Sequence, residues 1–273
     1  MFANIVTYYW QLDELSAASQ RLVAVLDSAK GPEAWRAAYR ALLHSDDIAA
    51  TGVALGVFLY EQSQSRWGFG NPLDELAEEI LAQARVLLAV EHDPAVPVRR
   101  QPVVQAAWSS AVGVVDHLGD ATDLPRLVEV LTAAVAGVDD DPDLGELVEF
   151  GFAAVGRCLG DADESTRHRV AAWLAGLFTD ERRPERLRVL AIRPLHDSES
   201  DIPHGQEEVL AGLLRHDSIQ LAGAAAWALV GRTGYDARVR EVVAAWPVRG
   251  VPAVVDEVRW AIADADEVAE AGR

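Results

Sequence analysis

The chain has 273 residues, of which 50% are hydrophobic and 25% are charged, a composition typical of a folded globular protein. It carries 43 acidic and 24 basic residues, and the resulting net charge of -19 disfavours binding to nucleic acid or anionic lipid and favours a basic partner. No apolar stretch reaches the roughly 18 residues of a membrane helix, and no signal peptide is recognisable. Cys158 is the only cysteine, which excludes an internal disulfide. We therefore expect a cytoplasmic protein.

Helical periodicity dominates the chain from its N-terminal part onwards. After Asn71, which suits an N-cap, and Pro72, which suits the first helical position, apolar residues recur at helical spacing. A second clear case begins at Asp123, with Pro125 in its first turn. We found no comparable series of alternating strands, so the sequence predicts an all-α fold.

The predicted helices come in pairs. They cover residues 33–62, 72–117, 123–159, 163–197, 203–232 and 235–264. A leading helix near 9–28 is expected to cover the open apolar end of the first pair. The predicted organisation is therefore an N-terminal capping helix in residues 1–32, a repeat array in residues 33–264 and an acidic tail in residues 265–273.

A short motif recurs in these pairs at constant internal spacing. Its two best copies are Leu42, Leu43, Asp46, Ile48, Gly52 and Ala54, and Leu213, Leu214, Asp217, Ile219, Gly223 and Ala225. A third copy contains Gly151. The aspartate is expected to cap the second helix of the pair. Because glycine lowers helix propensity by about 1 kcal/mol relative to alanine, its recurrence indicates that a neighbouring helix approaches closely.

The motif resembles the HEAT and HEAT-like repeat families, whose units consist of a helix, an aspartate-containing turn and an Ala- and Leu-rich second helix. The resemblance covers residues 33–264 and implies a right-handed α-solenoid of about six degenerate helix pairs. Val98-Arg99 fits the Val-Arg that these families often carry early in the second helix, whereas Ile48-Ala49 and Ile219-Gln220 depart from it.

The candidate binding residues lie in three segments: an arginine-rich segment, an aromatic loop and a run of three aspartates at residues 139–141. The segment 157–193 has eight arginines against six acids in an otherwise acidic chain, and is either a solvated face or a docking patch. Trp67 and Phe69 lie in a glycine-containing loop and could anchor a partner. The resulting candidates for a protein-binding surface are Arg182, Arg183, Arg186, Arg188, Trp67, Phe69, Asp139, Asp140 and Asp141.

Other conspicuous residues have structural interpretations. Asp139, Asp141 and Asp143 resemble the start of a calcium loop, but Leu144 and Phe150 replace its required glycine and glutamate, so we expect a helix cap. The histidines that precede an aspartate at a helix junction are interpreted as helix-end residues: His44, His92, His196 and His216. The tryptophans within helical stripes are expected in the core: Trp108, Trp173, Trp227 and Trp260. Cys158 is expected to be buried.

The sequence contains no catalytic, cofactor-binding or metal-binding motif that we recognise. Lys30 is the only lysine, and such avoidance of lysine in favour of arginine is typical of the coding bias of GC-rich bacterial genomes. We therefore expect an acidic, non-enzymatic scaffold or adaptor that binds a basic protein, of which an immunity-type inhibitor of a toxin is one form. The alternative is a HEAT-like enzyme of the alkylpurine DNA glycosylase type that acts through the arginine segment. A structural module of a larger assembly is the third hypothesis, and the oligomeric state stays open.

Overall fold

The computed structural model describes residues 15–65, 73–136, 145–197, 205–247 and 252–271. Within these ranges all regular structure is helical and no strand occurs, which confirms the all-α class. The α-helices are α1 (Ala17–Ser28), α2 (Pro32–Leu43), α3 (Ile48–Ser65), α4 (Ala77–Leu88), α5 (Pro102–Leu118), α6 (Leu124–Val135), α7 (Gly145–Gly160), α8 (Glu164–Phe178), α9 (Glu185–Asp197), α10 (Gln206–Leu213), α11 (Ile219–Leu229), α12 (Asp236–Ala245) and α13 (Ala253–Ala271).

The helices belong to two compact units. The first unit contains α1 to α6 and α7 as far as Cys158, and the second begins at Leu159 and contains α8 to α13. Each predicted helix pair corresponds to two consecutive helices of the structure, beginning with α2 and α3. Residues 265–271 of the predicted tail continue α13.

In the first unit, consecutive helices pack as pairs and the pairs pack on one another. Helix α2 contacts α3, and α4 contacts α5. The second helices α3 and α5 lie against each other, as do the first helices α4 and α6, while α1 packs against both α2 and α3. Tyr39, Phe58 and Trp108 are fully buried in this unit, and the hydroxyl of Tyr39 donates to the carbonyl oxygen of Ala54 at 3.0 Å.

The second unit repeats this order of packing. Helix α8 contacts α9, α10 contacts α11, and α12 contacts α13. The second helices α9, α11 and α13 lie in sequence, with α11 against both of the others, and the first helices α8 and α10 also touch. Three successive second helices are thereby placed side by side within one unit.

The helix caps differ from the prediction by one residue. The backbone N–H of Ala49 donates to Asp47 at 3.0 Å, and that of Leu221 donates to Ser218 at 3.3 Å, so Asp46 and Asp217 do not cap these helices. The reason is that α3 and α11 begin at Ile48 and Ile219, and the capping position immediately precedes the first helical residue.

Asp47 also joins α1 to the start of α3. It accepts hydrogen bonds from the hydroxyls of Ser16 and Ser19. Partial burial alone would raise the pKa of Asp47, but the hydrogen bonds from Ser19 and Ser16 outweigh it and hold the pKa below its usual value. The predicted capping helix is thus fixed to the first pair by polar as well as apolar contacts.

Two of the motif glycines lie where helices approach closely, as predicted. A Cβ atom on Gly223 of α11 would lie 2.7 Å from Cγ1 of Val254 on α13. A Cβ atom on Gly151 of α7 would lie 2.5 Å from Cδ2 of Leu131 on α6. These distances are too short for carbon atoms, so the absence of a side chain permits the observed packing.

Candidate functional site

The structure describes only part of the predicted binding surface. Trp67, Phe69 and the acidic residues Asp139, Asp140 and Asp141 lie outside the described residues. The four arginines of the predicted patch all lie within the second unit, at or just before α9.

The four arginines do not form a single exposed patch. Arg182 is 90% exposed and its Nε lies 2.9 Å from Oδ1 of Asp180, while Arg183 lies 3.7 Å from the same carboxylate. The hydrogen bonds from Arg182 hold the pKa of Asp180 below its usual value. Arg186 is exposed, whereas Arg188 is only 7% exposed and its Nε donates to the carbonyl oxygen of Phe178 at 2.9 Å. Arg188 therefore binds the end of α8 and is not part of a docking surface.

We expect Arg188 and Arg182 to respond differently to substitution. Arg188→Met would leave the buried carbonyl of Phe178 without its donor, and should lower the free energy of unfolding by about 1–2 kcal/mol. Arg182→Ala should leave that free energy unchanged within error, because an exposed ion pair contributes little. Urea unfolding of both variants measures the difference, and equal effects would contradict the structural role of Arg188.

An open groove occurs between the second helices of the second unit. It has a volume of about 270 Å³ and is bordered by α9, α11 and the start of α13. Its lining residues are mainly apolar and include Val189, Leu190, Ile192, Ala224, Trp227 and Val254. The groove exists because three second helices lie in sequence and α11 contributes small residues to the middle of the row.

An aromatic pair forms part of the groove wall. The rings of His196 on α9 and Trp227 on α11 stack with their centroids 3.9 Å apart and an interplanar angle of 27°. A nitrogen of the same imidazole, Nδ1, lies 3.2 Å from the carbonyl oxygen of Trp227. Both side chains are half-buried, so the pair fixes the two helices and also presents ring surface to the groove.

The groove has charges of opposite sign on opposite walls. Arg193 of α9 and Glu257 of α13 both line it and both are exposed. Across the described ranges, neither of these side chains makes an ion pair. Their charges are therefore available to a ligand or partner that enters the groove.

The prediction that Trp260 lies in the core is wrong. Its side chain is 71% exposed, whereas Val255 and Val258 of the same helix are fully buried. At helical spacing Trp260 shares the face of Ala253 and Glu257, which is the face that borders the groove. Trp108 is in the core as predicted, while Trp173 and Trp227 are half-buried.

Cys158 is buried as predicted, and burial raises the pKa of its thiol to about 12, so it is protonated at neutral pH.

No group of three or more His, Cys, Asp or Glu side chains in the described part of the chain could hold a metal ion. In that same part, no helix combines the length and the apolar character that crossing a bilayer requires.

The four helix-junction histidines make different contacts. His44 lies 3.1 Å from Glu79 and 3.2 Å from Gln83, both on α4. His92 packs edge-on against Trp108, and His216 accepts from the backbone N–H of Ser218 at 3.0 Å. Only His196 lines the groove.

The sequence contained one unused signal for the groove. Pro194 lies inside α9, where it has no N–H to donate to the preceding turn and interrupts regular helical bonding. His196 follows it by two residues. A proline inside a helical pattern next to an aromatic ring indicates an irregular surface, although it does not identify the helices that face it.

No family model, no curated protein and no solved structure matches this chain. The groove residues are therefore identified by their geometry and charge alone.

Proposed function

We propose that the protein is a non-enzymatic interaction module of the HEAT-like type, which binds a basic protein partner. In this proposal the six helix pairs form one right-handed α-solenoid. The observation that carries the proposal is the packing order, in which second helices lie against second helices and first helices against first helices within each unit. An experimental structure in which the pairs do not follow a single superhelix would contradict the architecture.

The net negative charge of the chain supports the proposal that its partner is basic. With 43 acidic and 24 basic residues, the molecule attracts cationic surfaces at low ionic strength and repels nucleic acid. An immunity-type inhibitor of a basic toxin is one form of this proposal. The glycosylase alternative receives no support, since Arg182 and Arg183 lie beside Asp180 and Arg188 is buried.

The proposal predicts a basic partner whose binding depends on salt. The purified protein is crosslinked in native extract at low salt, the captured protein is identified and expressed, and its affinity is measured by calorimetry at two salt concentrations. We expect a basic protein whose Kd rises by about tenfold or more between about 50 and 300 mM salt, because electrostatic attraction is screened.

The control is an unrelated acidic helical protein of similar net charge, which should not bind the captured protein. Equal binding to that control would show a general polyanion effect and contradict specific recognition. Failure of any protein to bind at low salt, or an affinity independent of salt, would also contradict the proposal.

A further inference from the structure

The groove between α9, α11 and α13 is large enough to accept one side chain of a partner. Its volume of about 270 Å³ is slightly below the range of about 300–1,000 Å³ that is typical of small-molecule sites. Protein partners commonly insert one large apolar side chain into a pocket of this kind. Trp227, Val189 and Val254 are half-buried and supply the apolar surface that such a side chain would contact.

A cation can be bound beside the apolar part of the groove. Ala253, Glu257, Trp260 and Asp264 recur at intervals of four, three and four residues along α13 and share one face of the helix. All four are exposed. An exposed indole with a carboxylate one turn away on each side provides both cation–π and charge attraction for an arginine or lysine side chain.

The other charges around the groove have a smaller effect on where a cation binds. Arg193 lies on the opposite wall and would repel a cation there, which directs the cation towards α13. The C-terminal end of α9 and the N-terminal end of α13 both border the groove, so their helix dipoles act in opposite directions and offset each other. The net charge of -19 adds a general preference for cations.

We infer that this groove is where the basic partner docks: an apolar side chain of the partner enters between α9, α11 and α13, and a neighbouring arginine or lysine lies against Glu257, Trp260 and Asp264. The inference rests on the proposed function and adds to it the site and the chemistry of the ligand. It does not require any other part of the chain to contact the partner.

Two small probes of similar length test the groove directly. 4-Phenylbutylamine carries a phenyl group and a cation, and 4-phenylbutyrate carries a phenyl group and an anion at a similar distance. Indole N–H signals of Trp227 and Trp260, assigned with Trp227→Phe and Trp260→Phe, report binding by NMR titration. We expect the amine to shift both signals saturably and to bind about fivefold or more tightly than the butyrate.

Three variants locate the binding. Ala253→Leu places a larger side chain in the groove and should abolish the shifts, whereas Ala172→Leu makes the same change at an exposed position of α8 outside the groove lining and should leave them unchanged. Glu257→Gln should reduce the preference for the amine over the butyrate to about twofold or less. Tighter binding of the butyrate, no shift with the amine, or equal loss in both leucine variants would overturn the inference.

Binding of the captured partner to the leucine variants tests this inference separately from the proposed function. If it binds Ala253→Leu as tightly as it binds the unmodified protein, the docking site is elsewhere and the inference is overturned, while the proposed function stands. If the amine titrates the groove as expected but no basic protein binds, the proposed function is overturned. Loss of partner binding in Ala253→Leu but not in Ala172→Leu supports both.

Discussion

Gly223→Leu is expected to lower the free energy of unfolding by about 3 kcal/mol, at the upper end of the usual cost of overpacking. Even a single Cβ atom at this position would lie 2.7 Å from Cγ1 and 3.3 Å from Cγ2 of Val254. Valine has little rotational freedom in a helix, so α11 and α13 would have to separate. Urea or thermal unfolding followed by circular dichroism measures the loss.

Gly176→Leu is the matched control in the same unit. Gly176 is an exposed residue of α8, and a Cβ atom there has no heavy atom within 4 Å apart from its own chain neighbours and local helix backbone. Leucine at that position should raise the free energy of unfolding by up to about 1 kcal/mol, through its higher helix propensity. Similar losses in both variants would contradict the close approach of α11 to α13 as the cause.

Asp123→Ala is expected to lower the free energy of unfolding by about 2–3 kcal/mol. Asp123 is 5% exposed and joins α4 to α6, because its two carboxylate oxygens lie 2.7 Å from Nε and 2.9 Å from Nη2 of Arg85. It also accepts from the backbone N–H of Asp120 at 3.1 Å. The expected loss is less than for a fully buried pair, since Arg85 is 41% exposed and can turn to water.

Asp120→Ala distinguishes the buried carboxylate from its exposed neighbour. Asp120 is about half exposed, lies 3.2 Å from Arg85 and accepts from the backbone N–H of Thr122 at 2.7 Å, so its removal should cost about 1 kcal/mol, the usual cost of losing a helix cap. Chemical unfolding of both variants and of the double variant gives the separate contributions. A larger loss for Asp120→Ala than for Asp123→Ala would contradict the role assigned to the buried contact.

Much of the fold could be predicted from the sequence because helical periodicity is a local property. The stripe that contains Ile80, Ala84 and Leu87 is buried in α4 as expected. The neighbour of each glycine could not be predicted, since it depends on contacts distant in sequence. Gly151 approaches the first helix of its own pair, whereas Gly223, at the same motif position, approaches the second helix of the next pair.

The candidate site was harder to predict than the fold. Trp260 fits an amphipathic pattern, but Val255 and Val258 define the buried face of α13 and Trp260 lies outside it. Arg188 is indistinguishable in the sequence from its exposed neighbours, and its burial depends on the end of α8 lying beside it. The groove is formed by three helices, so no single segment of sequence reveals it.

The state of Cys158 has a practical consequence for measurements of distance and motion. Because this only thiol is enclosed and protonated at neutral pH, maleimide reagents will leave it unmodified in the native protein. Cysteines introduced at exposed positions outside the groove lining, such as Glu185→Cys on α9 and Glu267→Cys on α13, can then carry fluorophores or spin labels without removal of the native residue. The change in separation between α9 and α13 when a ligand enters becomes directly observable by energy transfer or electron paramagnetic resonance.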